Sequence, residues 1–312
     1  MPDTSLTVLV TGATGFVGSH LARALVERGH DVRAMTRRPE EYGGAGNAVA
    51  GDIADAESLV SALDGVDAAY YLVHALDSQD FEKQDAEAAR AFAVAAARTG
   101  VKQIVYLGGL GAEDGDLSPH LRSRREVEGL LAGTGVPVTV LRAAIVVGHG
   151  GVSWEMTRQL VDNLPMMATP PWVDTRTQPI ALEDVVRYLV GVLDHEAALG
   201  RTFEVGGPDV LTYGEMMQRA SIIQNGRDVP IVKVPMLSDK VTQAVTTELS
   251  SYWLSLFTEA DRVTGRNLIE SMSTEVVVTD DSIREVVPFE PMGYDDMVRV
   301  ALSDRLREVG TL

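Results

Sequence analysis

The sequence contains no cysteine. This absence excludes disulfide scaffolds, thiolate zinc sites, iron–sulfur clusters and cysteine nucleophiles. Basic residues are also scarce, with 27 Lys and Arg against 45 Asp and Glu and a formal net charge of -18. Because nucleic acids and anionic membrane surfaces are held mainly by Lys and Arg, neither is expected as a partner. The six histidines show no ligand spacing, so no metal site is expected.

Long hydrophobic runs and a basic leader are missing as well. No apolar stretch approaches the about 18 residues that cross a bilayer, so no membrane span is expected. The first basic residue is Arg23, and the apolar run Leu6–Val10 is too short for a signal core. These features favour a cytoplasmic location. They leave the oligomeric state, monomer or homodimer, open.

The first half of the chain shows a regular alternation of strand-like and helix-like segments. The run Leu6–Val10 is typical of a strand buried on both faces, and Gly29 stands where the following helix should end. The next predicted strands are Asp31–Thr36, Ala48–Gly51, Ala68–Val73, Gln103–Leu107 and Val138–Leu141, and the predicted helices are Ala56–Leu63, Phe81–Thr99 and Leu121–Ala132. This alternation indicates an α/β fold, a Rossmann-type doubly wound parallel sheet.

The second half is less regular. A length of 312 residues suggests about two domains or lobes. We assign residues 1–150 to the sheet domain and residues 151–312 to a smaller C-terminal α+β lobe packed on it, partly interleaved, with strands that could join the main sheet. Its predicted helices are Glu155–Asn163, Glu183–Leu193, Gly214–Gln224, Ser238–Phe257 and Tyr294–Val309, and its predicted strands are Arg201–Val205, Pro230–Val234 and Glu275–Thr279. The four prolines from Pro165 to Pro179 predict a loop.

A glycine-rich turn, Thr11–Gly18, joins the first strand to the first helix. In such a strand–turn–helix unit, backbone N–H groups and the helix N-terminus can hold a pyrophosphate. Gly12 would allow the tight turn, Gly15 the approach of backbone to phosphate, and Gly18 close packing of helix on strand. We predict that these glycines bind a dinucleotide together with Thr14, Phe16 and Val17. A glycine turn without a ligand is the alternative.

The end of the second strand distinguishes the two nicotinamide dinucleotides. An NAD site places Asp or Glu there, whereas the additional phosphate of NADP needs cations. This chain has Arg37 and Arg38 at that position, and its nearest acid, Asp31, lies at the other end of the strand. The pattern favours NADP(H) over NAD(H) and makes residues 1–150 an NADP-binding domain. A solvated arginine pair in a loop is the alternative.

The order Thr-Gly-x-x-Gly-x-x-Gly resembles the extended and atypical short-chain dehydrogenase/reductase superfamily. Five further segments resemble it in the same order along the chain: Gly51–Ile53, Tyr70–His74, Val105–Gly109, Leu141–Gly148 and Gln178–Val185. The likeness covers most of residues 5–210. It is greatest to the NAD(P)H-binding atypical members described as NmrA-like or sugar nucleotide epimerase-like.

The resemblance implies cofactor contacts beyond the glycine turn. These are Asp52 and Ile53 at the adenine, Val73, His74 and Ala75 beneath the cofactor, Leu107 and Gly108 at the fifth strand, and Ala143, Ala144, Ile145 and Val146 near the nicotinamide. Other roles stay open for some of them. Asp52 could be a turn or cap residue, and Val73 and Ile145 could belong to the core.

The catalytic pattern of the superfamily is absent. Its active members use a Tyr-x-x-x-Lys pair after the fifth strand, in which the ammonium lowers the pKa of the phenol. Here His120 and Arg124 stand at the matching positions, and Gly108–Gly109 replaces the expected Ser or Thr. In one hypothesis His120 donates a proton and Arg124 holds the ribose or an anionic substrate. In the other the site has no general acid, and the protein either binds NADP(H) without turnover or passes hydride to an acceptor, such as a quinone, that needs no proton from the enzyme. A surface residue near a helix start is a further alternative for His120.

Methionine and aromatic residues cluster in the second half, namely Trp154, Met156, Met166, Met167, Trp172, Tyr252 and Trp253. Flexible methionines and flat aromatic walls suit a planar or lipid-like apolar ligand, although core packing explains them too. We therefore predict an NADPH-dependent reductase of an apolar or quinone-like small molecule. The competing hypothesis is a non-catalytic NADP(H) redox sensor, or an assembly or regulatory protein.

Overall fold

A computed structural model describes residues 5–74, 80–111, 117–163, 167–169, 171–228, 231–233, 271–308 and 310. Its central sheet has seven strands, numbered in chain order as β1 (Thr7–Val10), β2 (Asp31–Thr36), β3 (Asn47–Ala50), β4 (Ala68–Tyr71), β5 (Gln103–Gly109), β6 (Val138–Ala143) and β11 (Thr202–Val205). The strand order is β11-β6-β5-β4-β1-β2-β3, and every neighbouring pair is parallel. The predicted doubly wound parallel sheet is confirmed.

Helices cover both faces of this sheet and also form much of the second half. They are α1 (Phe16–Glu27), α2 (Ala56–Leu63), α3 (Phe81–Thr99), α4 (Pro119–Ala132), α5 (Val152–Asn163), α6 (Leu182–Gly191), α7 (Tyr213–Asn225), α8 (Ile283–Val286) and α9 (Tyr294–Glu308). In the second half, α5, α7 and the C-terminal helix α9 pack on one another and on short strands. Because side chains alternate along a strand, Tyr70 packs in the core beneath α1 and α6, whereas Tyr71 packs beneath α2, α3 and α4. Within the described ranges, no helix is long and apolar enough to cross a membrane.

Short strands complete the second half. They are β7 (Val146–Val147), β8 (Met167–Thr169), β9 (Arg176–Thr177), β10 (Ile180–Ala181), β12 (Leu211–Thr212) and β13 (Ile231–Lys233). They pair as β7 with β10, β9 with β12 and β8 with β13. The expected proline-rich loop is therefore wrong in part, because it holds two of these strands and a 3-10 turn, Pro171–Asp174. The expected strand Glu275–Thr279 makes only an isolated bridge, Val276 to Thr177.

The two halves share the main sheet. Strand β11 extends it beside β6, and buried hydrogen bonds join the halves elsewhere. The Tyr70 hydroxyl donates to the carbonyl of Leu189 at 2.9 Å, and the Gln103 amide donates to the carbonyl of Val192 at 3.0 Å. The expected helix over residues 238–257 lies outside the described residues.

Candidate cofactor and substrate site

The glycine turn after β1 has the close backbone contacts that its sequence predicts. Gly12 has φ of +66°, a conformation that favours glycine, and a Cβ there would lie 2.9 Å from the carbonyl oxygen of Leu72. A Cβ on Gly18 would lie 2.1 Å from the carbonyl oxygen of Gly12. Both glycines are therefore required for α1 to begin this close to the end of β1.

The N-terminus of α1 is suited to an anion. Its N-cap residue is Gly15, no side chain caps it, and its first turn contains no acidic residue. The first N–H groups of a helix have no partner within it, and the helix dipole adds positive charge at this end. A cleft of about 340 Å³ lies over this turn.

Most of the predicted site residues line this cleft. They are Gly12, Gly15, Phe16, Val17, Gly18, His74, Leu107, Gly108, Ala143 and Ala144, joined by His120 and Arg124. Val146, expected near the nicotinamide, lines it too, whereas the sequence interpretation missed Leu72, Gly109, Gly151, Val152 and Ser153. The glycine-rich segment Gly148–Gly151 was the sequence feature that could have indicated these residues. A Cβ on Gly151 would lie 2.7 Å from the ring of Phe16, so the glycine lets the start of α5 approach α1.

The remaining predicted cofactor residues lie apart from the cleft lining. The Asp52 carboxylate accepts a hydrogen bond from the Ala54 N–H at 3.0 Å, as in a turn. Ile53 and Val73 pack against the core beneath α2 and α3. The others outside the lining are Thr14, Arg37, Arg38 and Ile145, and Ala75 lies outside the described residues. Cofactor contacts of these residues stay a prediction.

Arg37 and Arg38 differ in their surroundings. Both are exposed after β2. The Arg38 guanidinium pairs with Glu41 at 2.7 Å. Arg37 makes no ion pair with any residue that the structure describes. Of the two, Arg37 is the cation available to a ligand.

A chain of buried polar side chains lies beside the cleft. Nδ1 of His74, which follows β4, contacts the Asp85 carboxylate of α3 at 2.5 Å. Nε2 of His74 lies 3.2 Å from Nδ1 of His120, in the first turn of α4. The Ser123 hydroxyl donates to the same Asp85 oxygen at 3.3 Å. The structure thus brings His74, predicted only as a cofactor contact, into direct contact with His120, and it pairs His74 with a carboxylate, Asp85, that the sequence interpretation missed.

His120 is a neutral imidazole in this environment. Burial, the positive charge of Arg124 and the neighbouring His74 lower the pKa of His120 to about 2. Near neutral pH His120 therefore has no imidazolium proton of its own to donate. Any proton that His120 donates near neutral pH therefore comes from its neutral form, since burial and a nearby cation both disfavour the charged form. The role of His120 as a proton donor stays a prediction.

Arg124 lies one helical turn after His120 and has unused hydrogen-bonding capacity. Its Nη1 donates to the Tyr106 hydroxyl at 3.5 Å. Its buried Nε has no hydrogen-bond partner among the residues that the structure describes. An unpaired donor that lines a cleft is suited to an acceptor oxygen of a bound ligand, because a buried polar group without a partner is costly.

Packing explains why the superfamily's Ser or Thr is absent at the end of β5. A Cβ on Gly108 would lie 2.8 Å from the carboxylate of Glu128. A Cβ on Gly109 would lie 2.6 Å from the side chain of Leu121. Helix α4 lies close enough to β5 to leave little space for a hydroxyl-bearing side chain.

A second, smaller cavity of about 150 Å³ adjoins the cleft and is largely apolar. It shares Gly109, His120, Ala143, Ala144 and Ser153 with the cleft. Its other walls include Ile145, Met156, Leu160, Trp172, Tyr213, Met216, Met217 and Met272. Of the predicted methionine and aromatic cluster, Met156 and Trp172 line it, whereas Trp154 belongs to the core. Met167 lies in β8, and Met166, Tyr252 and Trp253 lie outside the described residues.

The sheet, the glycine turn and the cleft define a dinucleotide-binding Rossmann protein. A family model described as NAD(P)H-binding matches residues 12–196. The chain belongs to this NAD(P)H-binding family. The resemblance inferred from the motifs is confirmed.

Relatives of the chain include proteins of different kinds. It is 30% identical over 225 residues to the (4-alkanoyl-5-oxo-2,5-dihydrofuran-3-yl)methyl phosphate reductase of Streptomyces griseus, covering 69% of this chain and 72% of the relative. It is 25% identical over 308 residues to subunit 9 of the mitochondrial NADH dehydrogenase [ubiquinone] 1 alpha subcomplex of Arabidopsis thaliana, covering 91% and 75%. The crystal structure of Citrobacter sp. triphenylmethane reductase with NADP(H) superposes with a TM-score of 0.75 at 20% identity, covering 94% and 99%, which shows a shared fold.

Proposed function

We propose that the protein is an NADPH-dependent reductase of an apolar or quinone-like small molecule. The observation that carries this proposal is the junction of the cofactor cleft and the apolar cavity at Gly109, His120 and Ala144. A ligand in the cavity would lie next to the cofactor end that reaches this junction. Methionine and aromatic walls suit a flat apolar ligand.

The residues of the cleft fit a nicotinamide dinucleotide. The uncapped start of α1, kept close to β1 by Gly12 and Gly18, would hold the pyrophosphate. The unpaired Nε of Arg124 would donate to an oxygen of the ligand. When bound in reduced form, the nicotinamide supplies a hydride.

The preference for NADPH rests on Arg37, the arginine without an ion pair. We expect Arg37→Ala to weaken NADPH binding by about 10-fold or more and to leave NADH binding nearly unchanged, because only NADPH has the additional phosphate. Arg38→Ala is the matched control, since Arg38 already pairs with Glu41. Calorimetric titration with both dinucleotides measures the effect. An unchanged NADPH affinity in Arg37→Ala would sink the assignment.

The reductase is tested by NADPH oxidation with a panel of quinones, aldehydes and ketones. Trp172 lines the cavity, so an acceptor that binds there should also change the tryptophan fluorescence. We expect Trp172→Ala to raise KM for that acceptor and to leave NADPH affinity unchanged. If the protein binds NADPH tightly but oxidises it with none of the acceptors in the panel, the reductase function is wrong.

The second candidate function is non-catalytic, as an NADP(H) sensor or an assembly or regulatory protein. Two observations favour it: the superfamily's catalytic pair is absent, and one relative is a subunit of a respiratory complex. A sensor should bind NADPH and NADP+ with different affinities and change its hydrogen-exchange protection between the two. It should show no turnover with the acceptor panel.

A further inference from the structure

Asp85, His74 and His120 lie in line from the interior of the molecule to the cleft. The side chains of His74 and Asp85 are only 7% and 6% exposed. Contacts of 2.5 Å and 3.2 Å connect the three groups. The chain ends at His120, which lines both the cleft and the apolar cavity.

The hydrogen-bond partners fix where the protons can be. An ionised Asp85 only accepts hydrogen bonds, so Nδ1 of His74 carries a proton towards it. One further proton lies between the two rings, because Nε2 of His74 and Nδ1 of His120 are within hydrogen-bond distance. If that proton is on His74, then His74 is an imidazolium paired with Asp85. His120 is then neutral and carries its proton on Nε2.

Other charged and titratable groups surround this chain. The cation of Arg124 acts on His120 and contributes to the low pKa of its imidazole. Tyr71 and Tyr106 face Asp85 from β4 and β5, and burial keeps both phenols in the neutral form by raising their pKa values. Asp85 can therefore stabilise a positive charge on His74, and His120 is the member of the chain that lines both the cleft and the apolar cavity.

We propose that Asp85, His74 and His120 form a proton relay that protonates the oxygen of a neutral carbonyl or quinone acceptor. This inference rests on the proposed reductase function and specifies its substrate class. His120 is the catalytic residue, since it lines the junction of cleft and cavity where the acceptor would bind. His74 carries the proton that is transferred. Asp85 holds the ring of His74 in position and stabilises its imidazolium form.

The step balances in atoms and charge. A hydride from the reduced nicotinamide dinucleotide forms a C–H bond at the acceptor, and the π electron pair moves to the acceptor oxygen. That oxygen takes the proton from Nε2 of His120 as Nδ1 of His120 takes the proton from Nε2 of His74. His74 becomes neutral and keeps its Nδ1 proton towards Asp85. His120 is never an imidazolium, which agrees with its low pKa.

The relay makes a distinction between two kinds of acceptor. Reduction of a carbonyl or quinone needs a hydride and a proton. Reduction of a cationic acceptor, such as a triphenylmethane dye, needs a hydride alone, because the cation is neutralised by it. Variants of the relay should therefore slow the first kind of reduction much more than the second.

The kinetic test uses the full-length protein with NADPH, a naphthoquinone and a triphenylmethane dye. We expect His120→Gln and Asp85→Asn to lower kcat for the quinone by about 100-fold or more, the usual contribution of general acid catalysis. kcat for the dye should fall by at least about 10-fold less than kcat for the quinone, because the dye needs no proton. Glu126→Gln is the matched control, because Glu126 is an exposed carboxylate on the helix of His120. Equal losses with both acceptors, or no loss with the quinone, would overturn the relay.

A second measurement needs no acceptor and separates the relay from the reductase. In ¹⁵N spectra of histidine-labelled protein at neutral pH, His74 should be protonated on both nitrogens and His120 on one. Asp85→Asn should convert His74 to the neutral form. A neutral His74 in the wild-type protein would overturn the relay. This result decides the relay even if no acceptor is reduced, in which case the reductase function is what fails.

Discussion

At the scale of single residues, the site depends on ionisable side chains whose pKa values are shifted by burial and by neighbouring charges. His120 is the clearest case. Its pKa falls from 6.5 to about 2 on folding, mainly because it is buried and also because Arg124 and His74 lie beside it. The unfolded chain therefore binds a proton below pH 6.5 that the folded chain does not.

This difference has a defined sign for stability. Below pH 6.5, His120 favours the unfolded state by about 1.4 kcal/mol for each pH unit. Between pH 6.5 and pH 5, the free energy of unfolding should fall in both proteins. We expect the fall to be about 2 kcal/mol smaller in His120→Asn than in the wild-type protein. Urea denaturation at both pH values measures this. His195→Asn is the control, since His195 is exposed, and the wild-type slope in His120→Asn would contradict the expectation.

Glycines in two helices give a second residue-scale prediction. Gly18→Ala places a methyl group against the backbone of Gly12. We expect it to lower the free energy of unfolding by about 1–3 kcal/mol, as overpacking does, and to weaken dinucleotide binding. Gly129→Ala on α4 meets no atom within 4 Å and should stabilise the protein by up to about 1 kcal/mol. Thermal unfolding with and without NADPH compares the two, and similar effects would refute the close contact.

At the scale of elements, helix α7 connects local sequence to the substrate cavity. It begins with a capping box in which the Thr212 hydroxyl accepts from the N–H of Glu215 at 3.1 Å and the Glu215 carboxylate accepts from the N–H of Thr212 at 2.8 Å. The same first turns supply Tyr213, Met216 and Met217 to the cavity. The cap therefore fixes the position of a cavity wall.

Loss of this cap should be measurable. We expect Thr212→Ala to reduce the free energy of unfolding by about 1 kcal/mol and to raise KM for a cavity ligand. Thr212→Ser retains the hydroxyl and should behave like the wild-type protein. Denaturant unfolding and ligand titration of the two variants provide the comparison. Equal loss in both would assign the effect to the methyl group of Thr212.

At the scale of the whole molecule, the two halves are joined through the main sheet. Strand β11 pairs with β6. The side-chain amide of Gln103 donates hydrogen bonds to residues of both halves, to the Thr139 hydroxyl at 2.9 Å and to the Val192 carbonyl at 3.0 Å. These buried polar contacts would be left unpaired if one half unfolded alone.

We therefore propose that the halves unfold together. Far-ultraviolet circular dichroism should report the same midpoint as tryptophan fluorescence, because the sheet belongs largely to the first half and Trp154 and Trp172 to the second. Gln103→Ala should lower that common midpoint without splitting the transition. Two separated transitions would show that residues 1–150 form an independent unit.

Much of the fold was predictable because local patterns decided it. The predicted bounds of β2, α2 and α3 agree with the structure, since each has a clear hydrophobic period and a capping or turn residue at its ends. The short strands were not predictable. Two-residue strands such as β9 form only because a distant segment, β12, lies beside them.

The sequence by itself determined the parallel sheet and the dinucleotide turn, because both depend on neighbours along the chain: strand, glycines and helix in sequence. It also showed that no Tyr-x-x-x-Lys pair exists. Only the tertiary structure decided which residues stand in that place. Asp85, His74 and His120 come from three separate elements, and their contacts and the low pKa of His120 exist only after burial has removed water and brought them together.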